Sequence, residues 1–416
     1  MAQNVQKKQS SRGMLMLVIL WLAYVLFAMN WVTGSTLTPE IIKAFFKGPV
    51  SPLTMQVVNY SITLARVFAN FLAAFILIKL GPKHAVTTAL VLLMFSIIAV
   101  WIPNYWGYTV ARMIMTLGGS MIIVYMNPVV ARYVRTDRKI IANALNTVSY
   151  NFGAFVVALA FLFAGKFLRF DWQITLTVLA SVSILYLLIW QLEAVNFNTK
   201  QDVDVGAHEE VHYGYRDAIR DPFVWHYSLG FGGFLFLYVL SITSLPSLFA
   251  TYAPRVNGSL IELMVTGFGI LGTAVGTMIG LTNHARKPIL FWTGVLMILG
   301  SAATLIFAAK APSLAYVAAG ATGFIMFIMY PLYMNLPHEM PDMSPEKLTI
   351  IFGMFWAISY FVYTILNIIW SVILGNLGWT AAGEFWIFGS LLYLVFVLQL
   401  PETKPHELPK SMIKPV

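Results

Sequence analysis

Residues 54–79 read TMQVVNYSITLARVFANFLAAFILIK and form an apolar stretch that is interrupted near its middle by Arg66. The stretch is long enough to cross a bilayer as one helix. A charge at that depth costs at least about 2.5–3.5 kcal/mol, so it normally faces a cavity or a partner. Intervals of three and four residues place the polar side chains on one stripe of this helix: Gln56, Asn59, Thr63, Arg66 and Asn70. We therefore predict that this face lines a polar cavity.

The composition of the whole chain is that of an all-α membrane protein with many spans. Of its 416 residues 59% are hydrophobic and only 10% are charged, whereas a soluble domain carries about 25% charged residues. The net charge of +9 lies mainly in short loops between apolar runs, so we expect a lipid bilayer and no nucleic acid as partner. The chain has no cysteine, which excludes disulfides and thiolate metal sites. No nucleophile–base pair, metal cluster or phosphate loop is visible, so we expect neither an enzyme nor a cofactor.

The apolar runs predict twelve membrane-spanning helices with a polar break after the sixth. We expect a six-helix bundle at 1–192, a cytoplasmic linker at 193–222, and a second six-helix bundle with a cytoplasmic tail at 223–416. The predicted spans, with ends good to a few residues, are 14–36, 54–79, 85–103, 106–131, 140–165, 172–192, 223–249, 259–282, 288–309, 313–337, 348–375 and 383–400.

The positive charges predict the orientation in the membrane. Of the 26 Lys and Arg residues, eighteen fall in the segments on the side of the N-terminus and six in the segments on the other side. Cytoplasmic loops carry such an excess. We therefore expect both termini in the cytoplasm, with the chain in a bacterial cytoplasmic membrane.

Acidic residues are almost missing from the predicted spans. Only Glu262 and Glu384, of 17 Asp and Glu, fall within or near a span, and both lie near span ends. A proton relay through a deep carboxylate is therefore not expected. An arginine without a resident counter-ion indicates that the solute itself is an anion. The alternative is that Arg66 bonds backbone carbonyls or a hidden carboxylate and only holds helices together.

Other polar side chains inside the spans are candidates for the cavity lining. Three amides in span five are costly in hydrocarbon unless they are bonded. Span eleven carries an aromatic stripe whose polar atoms need partners when they are buried. With Arg66, the predicted solute-binding residues are Asn59, Thr63, Asn146, Tyr150, Asn151, Tyr330, Tyr360 and Tyr363. Packing is the alternative role for these aromatic residues, and their rings would also suit a cation. A glycine stripe in span eight predicts a close helix contact.

Three short stretches resemble the major facilitator superfamily. Its loop between spans two and three has the form G-x-x-x-D-R-x-G-R-K, which AFILIKLGPK at 74–83 matches at Lys79, Gly81 and Lys83. Its span-four motif of an arginine followed by glycines is matched by ARMIMTLGGS, with Arg112. HARKP at 284–288 stands in the second half where LGPKH stands in the first. Internal repeats with a site between them are typical of transporters.

The resemblance implies gating roles and a narrower group. It implies that Arg112, Lys79, Gly81 and Lys83 act in gating, although Ile78 replaces the acidic residue of the usual contact. Within the superfamily, PHEMPDMSPEKLTIIFGMFW at 337–356 is similar to the cyanate permease and 2-nitroimidazole exporter group. That group often has an arginine near the end of span one, where this chain has Trp31.

The leading hypothesis is a monomeric secondary or exchange transporter of a small anionic solute that works by alternating access between the two bundles. The first alternative is efflux of amphipathic or cationic drugs through an aromatic cavity. An alternative of another class is a membrane receptor that transports nothing.

Overall fold

The structure is a computed structural model that describes residues 2–134, 139–194, 213–341, 343 and 345–404. In these ranges the chain is helical and contains no strand, which confirms the predicted all-α class. The helices, in chain order, are α1 (Ala2–Thr36), α2 (Thr38–Phe45), α3 (Pro52–Met55), α4 (Val57–Leu93), α5 (Phe95–Ala99), α6 (Tyr105–Tyr133), α7 (Lys139–Phe170), α8 (Trp172–Glu193), α9 (Tyr215–Arg220), α10 (Pro222–Thr243), α11 (Leu245–Tyr252), α12 (Gly258–Gly280), α13 (Arg286–Lys310), α14 (Pro312–Glu339), α15 (Pro345–Ser390) and α16 (Leu392–Val397).

Asn or Asp side chains cap several of the long helices. Asn104 accepts a hydrogen bond from the Gly107 amide at 2.7 Å and begins α6. Asp171, Asp221 and Asn257 cap α8, α10 and α12 in the same way. A cap of this kind satisfies an amide that lacks a partner within the helix and contributes about 1 kcal/mol. These polar residues therefore set where the apolar helices begin.

Two long helices are interrupted at a glycine. Gly81 in α4 has φ 73° and Gly378 in α15 has φ 86°, a region that glycine enters without a steric penalty. The structure thus joins predicted spans two and three in α4, and spans eleven and twelve largely in α15. In the described ranges ten stretches are long and apolar enough to cross a membrane. The count of twelve spans stays a prediction.

Other boundaries differ from those predicted. Predicted span seven, 223–249, is divided at Ser244 into α10 and α11. The loop after α1 contains two short helices that were not predicted, α2 and α3, both with a proline in the first turn. Most of the predicted linker at 193–222 lies outside the described residues, and the division into two bundles stays a prediction.

The tightest packing joins α12 and α14. A side chain at Gly272 would overlap the carbonyl oxygen of Phe324, and a side chain at Gly323 would overlap the carbonyl oxygen of Val265. Backbones approach this closely only where no Cβ intervenes. The predicted close contact of the span-eight glycines is confirmed.

Helices from the two halves of the chain meet along two lines of contact. α4 packs against α15, and α7 packs against α12. Within the first half α6 packs between α1 and α4, and within the second half α10 packs against α15 and α16. The polar stripe of α4 therefore lies between the halves, where it faces α1 on one side and α15 on the other.

Candidate functional site

Arg66 is buried in α4, with 3% of its surface exposed. Its Nη2 donates a hydrogen bond to the Tyr24 hydroxyl at 2.8 Å, and its Nη1 has no partner among the described residues. Across the ranges that the structure describes, no carboxylate lies within ion-pair distance of the guanidinium. Among the described residues, neither a carboxylate nor a backbone carbonyl is recorded as a partner of Arg66. The charge is instead left with one neutral hydroxyl.

Aromatic rings from both halves of the chain surround this charge. The Tyr360 ring centroid lies 4.3 Å from Arg66 Cζ, and the Phe27, Trp31 and Tyr150 centroids lie 5.4, 5.5 and 6.0 Å away. We call these four residues the Arg66 aromatic box. Cation–π contacts of this kind contribute about 0.5–2 kcal/mol each, and more when they are dry. The box therefore stabilises the buried charge but leaves an unused donor beside it.

Tyr150 presents a second unused polar atom next to the guanidinium. Its hydroxyl is buried and has no hydrogen-bond partner among the described residues. Its ring makes an edge contact with Trp31 at 5.4 Å. A buried hydroxyl without a partner is costly, so Tyr150 and Arg66 each hold an unused donor.

Asn59 is near Arg66, but its amide is already in use. Its Oδ1 accepts hydrogen bonds from Trp31 Nε1 at 3.0 Å and from Ser35 Oγ at 2.9 Å, and its Nδ2 donates to Gln56 Oε1 at 2.7 Å. Asn59 therefore fixes Trp31, a member of the Arg66 aromatic box. Direct solute contact would require these bonds to break.

Two predicted site residues lie where the halves of the chain touch. The hydroxyls of Thr63 on α4 and Thr364 on α15 are 2.7 Å apart. Asn151 on α7 donates to the Thr266 carbonyl on α12 at 2.7 Å and accepts from the Tyr238 hydroxyl on α10 at 3.1 Å. Both residues hold the interface rather than offering free donors to a solute.

The remaining predicted lining residues differ in their burial and in the groups that they contact. Tyr330 is half-buried and stacks on Phe231 and Phe234, with ring centroids 5.6 and 5.7 Å away. Asn146 is half-buried one turn before Tyr150 on α7. Tyr363 is fully buried, and its hydroxyl accepts from Asn367 at 3.2 Å, outside the Arg66 aromatic box.

The residues predicted to gate are not gathered at one place. Lys79 is exposed, with its Nζ 5.7 Å from the Phe75 ring centroid. Lys83 donates to the Gln191 carbonyl of α8 at 3.1 Å, so it joins two helices of the first half. Gly81 makes the backbone turn described above. Arg112 is fully buried among α1, α5 and α6.

A further polar contact closes one end of the interface between the halves. Ser244, at the break between α10 and α11, donates to Gln56 Oε1 at 2.9 Å. At the same end Gly375 on α15 meets the Pro52 ring on α3. Pattern reasoning selected Gln56 but not Ser244, Thr364 or Tyr238, because lone hydroxyls in apolar helices carry no periodic signal.

The burial of one carboxyl group, that of Glu262, was not predicted from the sequence. Glu262 on α12 is fully buried, and neither carboxyl oxygen has a hydrogen-bond partner in the described part of the chain. Tyr238, which bonds Asn151, interacts electrostatically with it. The prediction placed Glu262 near the end of a span, but packing by neighbouring helices removes it from solvent.

Comparisons with known proteins agree on one family. The family model described as Major Facilitator Superfamily matches residues 20–364. The chain is 24% identical to a protein of Mesomycoplasma hyopneumoniae over 89% of this chain and 84% of that one. It is also 24% identical to a major facilitator superfamily transporter of Mycoplasma genitalium, over 66% of this chain and 53% of that one.

Solved structures show the same fold. A D-xylose–proton symporter superposes with a TM-score of 0.74 at 14% identity, over 93% of this chain and 98% of that one. The inward-open xylose transporter of E. coli gives 0.69 at 15% identity, over 95% and 98% of the two chains. The narrower resemblance to the cyanate permease group is not confirmed by these comparisons.

Proposed function

Because the chain belongs to the major facilitator superfamily, we propose that it is a secondary transporter of a small anion, with Arg66 as the anion contact. Its family makes it a membrane transporter of small-molecule solutes rather than an enzyme. The observation that supports the anionic solute is the buried guanidinium, whose Nη1 lacks a partner while no described carboxylate neutralises it. An oxyanion or carboxylate supplies both a charge and an acceptor at this point.

The solute-binding group that we propose is smaller than the predicted one. Arg66 Nη1 and the Tyr150 hydroxyl donate to the anion, and Tyr360 lies against the guanidinium from the second half of the chain. Tyr330 interacts electrostatically with Tyr360 and Arg66, and we assign it to the same group. Asn59, Thr63 and Asn151 position these groups through the bonds described above.

Transport follows from separating the two halves around this site. The contacts of Gln56 with Ser244 and of Pro52 with Gly375 close one end of the interface. In the predicted topology this is the outer end. Opening the outer end requires these contacts to break while others form at the inner end, which is alternating access between bundles 1–192 and 223–416.

A ligand panel tests the proposal. The purified protein is heated with carboxylates, inorganic oxyanions, sugars, amino acids and cationic dyes, and its melting temperature is recorded. A ligand that binds only the folded state raises the melting temperature, and the rise grows with the ratio of ligand concentration to dissociation constant. We expect at least one small anion to raise it, with the rise lost in Arg66→Gln. Stabilisation by cationic dyes alone would support drug efflux, and stabilisation by sugars alone would support a neutral solute.

Glu262 favours coupling of this transport to protons. Burying a carboxylate without a partner costs far more than burying a neutral carboxyl group, and ionisable groups inside membrane spans mark proton and ion pathways. Glu262 lies on α12, which packs against α7 of the other half, so separation of the halves would change its surroundings. We propose that it carries the coupled proton.

Glu262→Gln is expected to abolish accumulation driven by a pH gradient and to retain exchange of solute across the membrane, since the amide is isosteric but takes up no proton. Both are measured with radiolabelled solute in proteoliposomes. The control is Glu384→Gln, which makes the same substitution at an exposed glutamate. If Glu262→Gln accumulates solute as the unmodified protein does, Glu262 has no coupling role.

A further inference from the structure

Arg112 is a second buried arginine, and its charge is not balanced either. None of its surface is exposed. Its Nη2 donates to the Asn30 carbonyl at 2.6 Å, and its Nη1 donates to Ser96 Oγ at 3.0 Å and lies 3.4 Å from Met115 Sδ. Its Nε has no partner, and none of the carboxylates that the structure describes lies within ion-pair distance. Neutral acceptors orient the guanidinium but leave its full charge in a dry interior, which is costly.

A small cavity lies against this guanidinium. Arg112 and Tyr108 of α6 form one wall, Gly34 and Ser35 of α1 form another, and α2 covers it with apolar side chains. The Tyr108 hydroxyl is buried and has no hydrogen-bond partner among the described residues. One small cavity is therefore lined by two residues that each hold an unused, fully buried donor.

The cover over this cavity is fixed in place. Ile41 and Ile42 of α2 are buried against the cavity. Glu40 of the same helix forms an ion pair with Arg169 of α7 at 2.8 Å, and Arg169 also donates to the Thr36 carbonyl at 3.1 Å. The cavity is thus bounded by residues of α1, α2, α3, α4 and α6, all within the first half of the chain.

The size and position of the cavity limit what it can hold. It has room for about one water-sized sphere, so a carboxylate, phosphate or sugar does not fit. Trp31 stands between this cavity and Arg66, since it lines the cavity and also belongs to the Arg66 aromatic box. The cavity is therefore separate from the proposed solute site.

We propose that a single halide ion, with the chemistry of chloride, binds in this cavity between Arg112 and Tyr108. A monatomic anion matches the small volume, accepts hydrogen bonds from Arg112 Nε and the Tyr108 hydroxyl, and neutralises the guanidinium. Its role is to neutralise Arg112, which bonds Asn30 of α1 and Ser96 of α5, and so to stabilise the packing of α6 against these helices; it is not transported. This assignment is independent of the solute that the transporter carries.

Thermal unfolding of the full chain in detergent tests the halide site. The protein is heated at constant ionic strength while sodium gluconate is replaced stepwise by sodium chloride or sodium bromide. Gluconate is too large for the cavity and serves as the reference anion. We expect the melting temperature to rise with the concentration of either halide, and to rise with its logarithm once the dissociation constant is exceeded, because each binds the folded state alone. A melting temperature that stays the same through the replacement would overturn the proposal.

Tyr108→Phe is the decisive variant, because it removes one donor and keeps the ring that packs against Phe45 and Trp172. Loss of one hydrogen bond to a charged ligand should raise the halide concentration needed for a given rise in melting temperature about tenfold or more. The matched control is Tyr125→Phe, which removes another buried, unpartnered hydroxyl of α6 that does not line the cavity. Equal halide responses in the two variants would contradict the site.

Two arginine variants separate this site from the solute site. Arg112→Gln should lose the halide response altogether, whereas Arg66→Gln should keep it. Loss of the response in Arg66→Gln would indicate that the halide binds at the Arg66 aromatic box, and it would overturn the assignment to Arg112. If Arg112→Gln does not fold, the comparison of Tyr108→Phe with Tyr125→Phe still decides the question.

Discussion

Arg66→Ala is expected to abolish uptake of the anionic solute while the protein stays folded. The substitution removes the charge and the free Nη1 that we propose hold the anion. It leaves no buried carboxylate without a partner, because no described carboxylate pairs with Arg66. The lost hydrogen bond to Tyr24 and the lost ring contacts are offset by removing a costly buried charge. Uptake into proteoliposomes and the melting temperature are measured on the same preparation.

Arg66→Lys should also fail, with uptake reduced at least about tenfold. Lysine keeps the charge but loses the planar fork that grips an oxyanion at two points and stacks on Tyr360. The control is Arg255→Ala, an exposed arginine in the loop before α12. A large fall in melting temperature for Arg66→Ala would support a structural role instead. Undiminished transport of a cationic dye by Arg66→Ala, with no anion raising the melting temperature, would support drug efflux.

Gly323→Leu is expected to prevent folding or to lower the melting temperature by ten degrees or more. A side chain at this position of α14 would overlap the carbonyl oxygen of Val265 in α12, and a helix backbone cannot move aside as a side chain can. Overpacking typically costs about 1–3 kcal/mol when side chains can adjust, so the cost here should exceed that range. The yield of monodisperse protein and its melting temperature are the measurements.

The matched control for this substitution is Gly165→Leu in α7. A Cβ at Gly165 meets no atom within 4 Å, so leucine there has open space. We expect this variant to fold and to melt close to the unmodified protein. Similar behaviour of the two leucine variants would mean that α12 and α14 are not in backbone contact at Gly323.

The polar face of α4 was predictable because helical periodicity is a local property. Gln56, Asn59, Thr63 and Arg66 are all buried, as the three-and-four spacing implied. Their roles were not predictable, because each role depends on a partner that is distant in the sequence. Asn59 bonds Trp31 and Ser35 only because α1 lies beside α4. Thr63 was expected to bind solute, because its contact with Thr364 of the distant helix α15 could not be read from the sequence.

Burial of isolated charges was the least predictable feature. Glu262 lies five residues after the Asn257 cap of α12, which suggested a residue near the membrane surface. In the folded chain it is completely enclosed, since packing between helices and not distance from a helix end decides exposure. The family resemblance assigned Arg112 to gating, which stays a prediction; the sequence did not indicate that its hydrogen bonds would join α1, α5 and α6 within the first half of the chain.

The hydrogen bonds between the two halves determine part of the free energy needed to separate them. Among the described residues, these bonds join uncharged groups: Gln56 with Ser244, Thr63 with Thr364, and Asn151 with Thr266 and Tyr238. Each neutral hydrogen bond contributes only about 0.5–1.5 kcal/mol net, so breaking all four stays within reach of thermal fluctuation and solute binding energy. Neutral contacts are also not subject to ionic screening. The balance between the two open forms should therefore hold steady as the salinity of the surroundings changes.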